Sequence, residues 1–135
     1  MESKQSGGQK WAPSRQAPSA PESDVALRHV RRVEEFFRSQ AKESVTLAEA
    51  AACAGCSVRA LQLAFRRCRG MTPMAALRRI RLEAARAALA RADGPASVRA
   101  IAAAYRFTNP SRFARLFKEL FGQSPSELRG AQDRL

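Results

Sequence analysis

Histidine, tyrosine and tryptophan occur once each in this 135-residue chain, and cysteine three times. A single histidine, with no nucleophile–base pair, no glycine-rich phosphate loop and no set of metal ligands, excludes the common catalytic constellations. No enzyme activity, cofactor or metal is expected. Cys53 and Cys56 form a C-x-x-C, but a zinc site needs four ligands, and Cys68 and His29 are the only other candidates. The pair therefore reads as small apolar filler at a helix–turn junction. An odd cysteine count outside any disulfide framework fits a reducing compartment. No apolar run is long enough to span a bilayer and no signal-peptide core is present. Cytoplasmic localisation, without a membrane partner, is expected. Strand-forming Tyr, Ile and Trp are scarce, Ala is abundant, and no window alternates apolar with polar residues. The fold class read from this is all-α.

Acidic residues are also few. Twelve Asp and Glu face 24 Lys and Arg, for a formal net charge of +12. Charge of that size speaks about partners, with phosphate polymers first. It is clustered: Arg59, Arg66, Arg67, Arg69, Arg78, Arg79, Arg81, Arg86 and Arg91 share their stretch with a single acid, Glu83.

Residues 1–24 are rich in Ser, Gly, Pro and Gln and read as a disordered arm or linker. Val30, Val33 and Phe37 then recur at helical spacing. Capping chemistry marks the later helix starts: Thr46 with Glu49, Ser57 after Gly55, Thr72-Pro73, Ser97 after Gly94-Pro95, Asn109-Pro110, and Ser124-Pro125 with Glu127. Seven helices are predicted, at 25–40, 47–54, 58–69, 73–92, 98–105, 110–121 and 125–130. In the longest, Leu77, Leu82, Ala85 and Leu89 are expected to form one apolar side.

The chain also repeats itself. Leu47, Ala51, Leu61, Phe65, Gly70, Thr72 and Pro73 recur as Val98, Ala102, Phe113, Phe117, Gly122, Ser124 and Pro125. The first two pairs stand 51 residues apart and the rest 52, so the second copy holds one inserted residue. Such self-similarity implies two copies of one supersecondary unit. Each copy reads as helix, tight turn, helix. The resulting division is an arm at 1–24, a first unit at 25–71, a linking helix at 72–92, a second unit at 93–131 and a tail at 132–135. In each copy the second helix has an apolar stripe and a basic face. Leu61, Ala64 and Phe65 point inward in the first copy, and Phe113, Leu116 and Phe117 in the second. Arg and Gln on the remaining faces suit major-groove readout, since Arg pairs with guanine and Gln with adenine. A non-specific polyanion binder is the alternative that charge alone leaves open.

The stretch AAAYRFTNPSRFARLFKELFGQSPSELR, from Ala102 to Arg129, resembles the signature of the AraC/XylS family of bacterial transcription regulators. The matching positions are Phe107, Phe113, Arg115, Phe117, Lys118, Phe121, Gly122, Ser124, Pro125 and Arg129. RIRLEAARAAL resembles the family's linker helix. The resemblance implies two helix-turn-helix subdomains joined by that helix, in a sequence-specific regulator of the activator type with double-stranded DNA as partner. RNA polymerase is a candidate second partner. Carried over by position, the base-facing residues are Val58, Arg59, Gln62 and Leu63 in the first recognition helix, and Ser111, Arg112 and Arg115 after the helix-starting Pro110 in the second. Arg66, Arg67, Asn109 and Lys118 are the phosphate candidates. Many family members carry an N-terminal effector-binding domain; none is expected in this chain, which resembles either a small stand-alone member or, favoured by its linker-like first 24 residues, an excised DNA-binding domain. Arg106 stands where the family usually has Gly before Phe. A positive φ there would cost about 1 kcal/mol.

Overall fold

The computed structural model describes residues 20–91 and 97–133, and among them every regular element is a helix. These are α1 (Ala20–Ser39), α2 (Leu47–Ala54), α3 (Val58–Arg69), α4 (Pro73–Arg91), α5 (Val98–Ala104), α6 (Pro110–Phe121) and α7 (Pro125–Asp133). The predicted starts and ends hold to within a few residues. The largest departure is at the front: α1 begins at Ala20, inside the stretch expected to be an arm. The rest of the expected arm, residues 1–19, lies outside the described residues, as does the 92–96 segment around Gly94 and Pro95.

The caps form as the residue types dictate. Thr46 and Glu49 exchange both bonds of a capping box, Thr46 N–H to Glu49 Oε1 at 2.8 Å and Glu49 N–H to Thr46 Oγ1 at 3.1 Å. Ser124 and Glu127 do the same. The Ser124 N–H and hydroxyl, with Lys118 nearby, hold the Glu127 carboxyl below its usual range. Side chains of Ser57, Thr72, Ser97 and Asn109 each accept from the backbone N–H three residues on. Each bond satisfies a donor that the helix start leaves unpaired.

Buried residues fall into two clusters. In the first, Val30, Val33 and Phe37 of α1 meet Leu61 and Phe65 of α3, together with the small face of α2. In the second, Phe113 and Phe117 of α6 pack with Ile101, Tyr105 and Leu128. Helix α4 belongs to both. Ala76, Leu77 and Ile80 close the first cluster, whereas Leu82, Ala85 and Leu89 close the second. At roughly 100° per residue these two sets lie on nearly opposite sides of the helix. The single apolar side expected for α4 is therefore two sides, one in each half, and Leu77 does not share a face with Leu82. Leu116 also departs from expectation. It is half-buried at the edge of the second cluster, beside α4.

Polar contacts add to the junction. Arg81 of α4 donates to the carbonyls of Ala41 (3.1 Å) and Glu43 (2.7 Å) in the turn after α1. Ala41 itself is buried in the second cluster, and the Lys42 ammonium lies 5.3 Å from the Tyr105 ring centre. Within the first half, Arg69 pairs with Glu34 through two bonds, at 2.7 and 3.0 Å.

Phe117 is fully buried, with its ring 5.6 Å from Phe113 and 4.7 Å from Phe121. Phe117→Ala should remove about 3–5 kcal/mol of stability, read as a lower urea midpoint with an unchanged m-value. The Glu34–Arg69 pair should show in acid. Hydrogen bonding to Arg69 holds the Glu34 carboxyl below its ordinary value of 4.5. A lowered folded-state pKa contributes stability that is present above the unfolded value and lost as pH falls through the folded one. Glu34→Gln should thus cost about 1–2 kcal/mol at neutral pH and flatten the loss of stability below about pH 4.5. Urea titrations across the acid range check both.

Candidate nucleic-acid interface

Each repeat places a 12-residue helix, α3 or α6, after a short helix and a turn. The inward stripe holds each one down: Leu61, Ala64 and Phe65 in α3, Phe113 and Phe117 in α6. The other side of each is presented to solvent. On α3, Arg59, Gln62, Leu63 and Arg66 are exposed and recur at i, i+3, i+4 and i+7, with Arg67 beside them. That spacing forms one strip along the helix. Leu63 is 47% exposed amid these polar neighbours, where its methyls could meet a thymine methyl. Val58 differs from the rest of its set: it is half-buried against the first cluster. On α6, Ser111, Arg112, Arg115 and Lys118 are all exposed. Pro110 is exposed at the first helical position. The side-chain oxygen of Asn109 accepts from the Arg112 N–H at 3.0 Å. Only its amide NH2 is then left to donate to a phosphate.

Not every arginine in the basic stretch is turned toward a partner. Arg69 is held by Glu34, and Arg81 by two carbonyls. The Arg86 guanidinium sits 5.0 Å from the Phe121 ring centre, and Arg79 lies 3.5 Å from Glu83. The Arg79–Glu83 pair, four residues apart on α4, is visible in the spacing. The partners of Arg69, Arg81 and Arg86 come from other helices or turns, and nothing in the spacing separates these three from the exposed arginines of α3.

The turns that aim the two helices share one backbone design. In the first, Gly55 N–H bonds Ala52 O and Cys56 N–H bonds Ala51 O, with Gly55 at φ +74°. In the second, Arg106 N–H bonds Ala103 O and Phe107 N–H bonds Ala102 O, with Arg106 at φ +75°. These are the paired closing bonds of a left-handed helix C-cap. Arg106 is the only described non-glycine residue with positive φ. The inserted residue falls after it: two residues (56–57) separate Gly55 from α3, and three (107–109) separate Arg106 from α6. Cys56, in the tighter turn, is partly buried against the first cluster, and burial pushes its thiol pKa up. It acts there as a small apolar group.

Comparison with known proteins agrees with this geometry. A family model for a helix-turn-helix domain matches residues 50–131. A crystal structure of a probable AraC family transcriptional regulator from Rhodopseudomonas palustris is 36% identical, with a TM-score of 0.72 over 77% of this chain and 96% of that one. The chain belongs to the AraC family of helix-turn-helix transcription regulators. It is 43% identical over 100 residues to the probable thc operon regulatory protein of Rhodococcus erythropolis, covering 73% of this chain and 30% of that protein. It is 34% identical over 97 residues to the XylDLEGF operon transcriptional activator 2 of Pseudomonas putida, covering 71% of this chain and 62% of that one. The chain thus spans less than two thirds of the curated relatives it matches. Within this AraC-type frame, α3 and α6 are the second helices of the two helix-turn-helix units, and α4 is the linker helix.

The strain at Arg106 is measurable. Arg106→Gly should raise stability by about 0.5–1 kcal/mol, the left-handed penalty being partly offset by the greater freedom of glycine in the unfolded chain. Gly55→Ala, at the equivalent turn, should instead lower it. Paired denaturation curves test the two together.

Proposed function

We propose that this chain is the DNA-reading part of a cytoplasmic, non-enzymatic transcription regulator, which recognises a site of two unlike halves. Helices α3 and α6 enter successive major-groove segments on one face of the duplex, about one helical turn or ~34 Å apart. Arg59, Gln62 and Leu63 read the first half; Ser111, Arg112 and Arg115 read the second. Val58 contributes at the edge of the first. Arg66, Arg67, Lys118 and the Asn109 amide position the protein on phosphates, which fix register without carrying sequence.

The observation that carries this reading is the pair of exposed polar strips on two helices packed through one shared helix, α4. The strips differ in residue type while their buried stripes match, as expected of one scaffold reading two different sequences. Activation, through contact with RNA polymerase, is the favoured sign of regulation. It draws support from the activator names of the Pseudomonas putida relatives at 34% and 35% identity.

Selecting bound duplexes from a random library should yield a bipartite site with its halves about one turn apart. Arg59→Ala should relax preference at one position of one half and Arg112→Ala at one position of the other, each at a cost of ~1–3 kcal/mol. Equal affinity of the wild-type chain for selected and scrambled duplexes at two salt concentrations would point to a non-specific binder and sink the proposal.

A further inference from the structure

Between the first half of α4 and the turn leading into α6 lies a cleft of about 280 Å³. Arg78 and Arg81 of α4 line it, with Arg106, Thr108, Asn109 and Arg112 on the other side, and none of its lining residues is a carboxylate. Four arginines, Arg78, Arg81, Arg106 and Arg112, thus line one concavity. At Arg81, burial and then the charge of Arg106 weaken the hold on its proton. Arg81 cannot swing away, because the carbonyls of Ala41 and Glu43 hold it. Arg106 adds strain, since it occupies a left-handed conformation that glycine fills in the sister turn. Like-charge crowding and backbone strain thus converge on one spot with no acid beside it to offset them. Strained residues collect where a ligand is held, and guanidinium forks match the oxygens of a phosphate.

We propose that this cleft is a phosphate site, and that it holds a backbone phosphate of the DNA running between the two recognition helices. Arg78 and Arg106 are its ligands, with Arg81 as a fixed charge beside them. Position favours DNA over a free nucleotide. The α4 wall begins four residues after α3 ends, and the opposite wall is the start of α6. The cleft therefore lies along the path from one recognition helix to the other. Its one aromatic lining residue, Phe107, is engaged with Phe113 at 5.0 Å, so a nucleobase finds no ready stacking partner. The proposal rests on DNA binding, not on which residues read bases.

The test uses the 135-residue chain with Arg106→Gly, Arg78→Gln and the double substitution, titrated on selected and scrambled duplexes over a salt series. Each single change should weaken binding to both duplexes alike, by about 3–10-fold near 0.1 M salt, and reduce the log–log salt slope by about 0.9 per lost contact. Because Arg106→Gly relieves strain, its loss of affinity should come with equal or higher thermal stability, which separates a lost contact from misfolding. An unchanged affinity and slope in the double variant would overturn the proposal. So would a changed preference between duplexes with an unchanged slope, which would make these residues base readers. Inorganic pyrophosphate is the probe for a free anion. If it raises the melting temperature of the wild type but not of Arg106→Gly, while DNA affinity is the same for both, the cleft serves a soluble anion and the DNA assignment fails. Wild-type indifference to duplex sequence would defeat the two-half-site reading yet leave the slope measurement valid.

Discussion

Helix α4 carries its apolar residues on one side in its first half and on nearly the opposite side in its second. Ala76, Leu77 and Ile80 complete the core under α3; Leu82, Ala85 and Leu89 complete the core under α6. Neither cluster can close without its half of this helix. The direction in which α6 projects relative to α3 is therefore tied to the phase of the α4 pattern, since each residue added between the two sets would rotate one core by about 100° against the other. The turn after α1 reinforces the link through the Arg81 bonds, buried Ala41 and the Lys42–Tyr105 contact. A protein that reads two groove segments with one chain needs such a fixed phase, because the duplex sets the angle between them.

The positive charge divides by job. Arg69, Arg81 and Arg86 are engaged by a carboxylate, by carbonyls and by an aromatic ring, and so stabilise the fold. Arg59, Arg66 and Arg67 on α3, with Arg112, Arg115 and Lys118 on α6, face outward on the second helices of the two helix-turn-helix units. The net charge of +12 thus overstates what is available to a polyanion, and the arginines left over are gathered on two strips and one cleft.

The two repeats agree in backbone and differ in side chains. Both turns close with the same pair of hydrogen bonds and a left-handed residue. Only the second turn is lengthened, and only it places an arginine where the backbone prefers glycine. The departure is local, and the surrounding bonds over-determine it. It puts a cation beside α4 at the mouth of the second recognition helix.

The all-α class, the seven helices, the caps and the duplicated unit were legible from the chain because they depend on local chemistry. Ser, Thr and Asn cap the helix starts through their own turn, Pro stops or begins helices by its ring, and apolar spacing of three and four makes a stripe wherever it occurs. The left-handed turn at Arg106 was legible only through the family resemblance, which usually has Gly at that place before Phe107. The early start of α1 was missed because Ser and Pro near Ala20 read as linker. What only the tertiary structure decided was pairing across distance. It split the supposed single face of α4 between two cores, left Leu116 at the edge of one, turned Val58 partly inward, and sorted the arginines into structural and exposed sets. It also gathered Arg78, Arg81, Arg106 and Arg112 around one cleft. Periodicity shows that a residue lies on a face, but not which neighbour that face meets, because the neighbour is set by the packing of helices far apart in the chain.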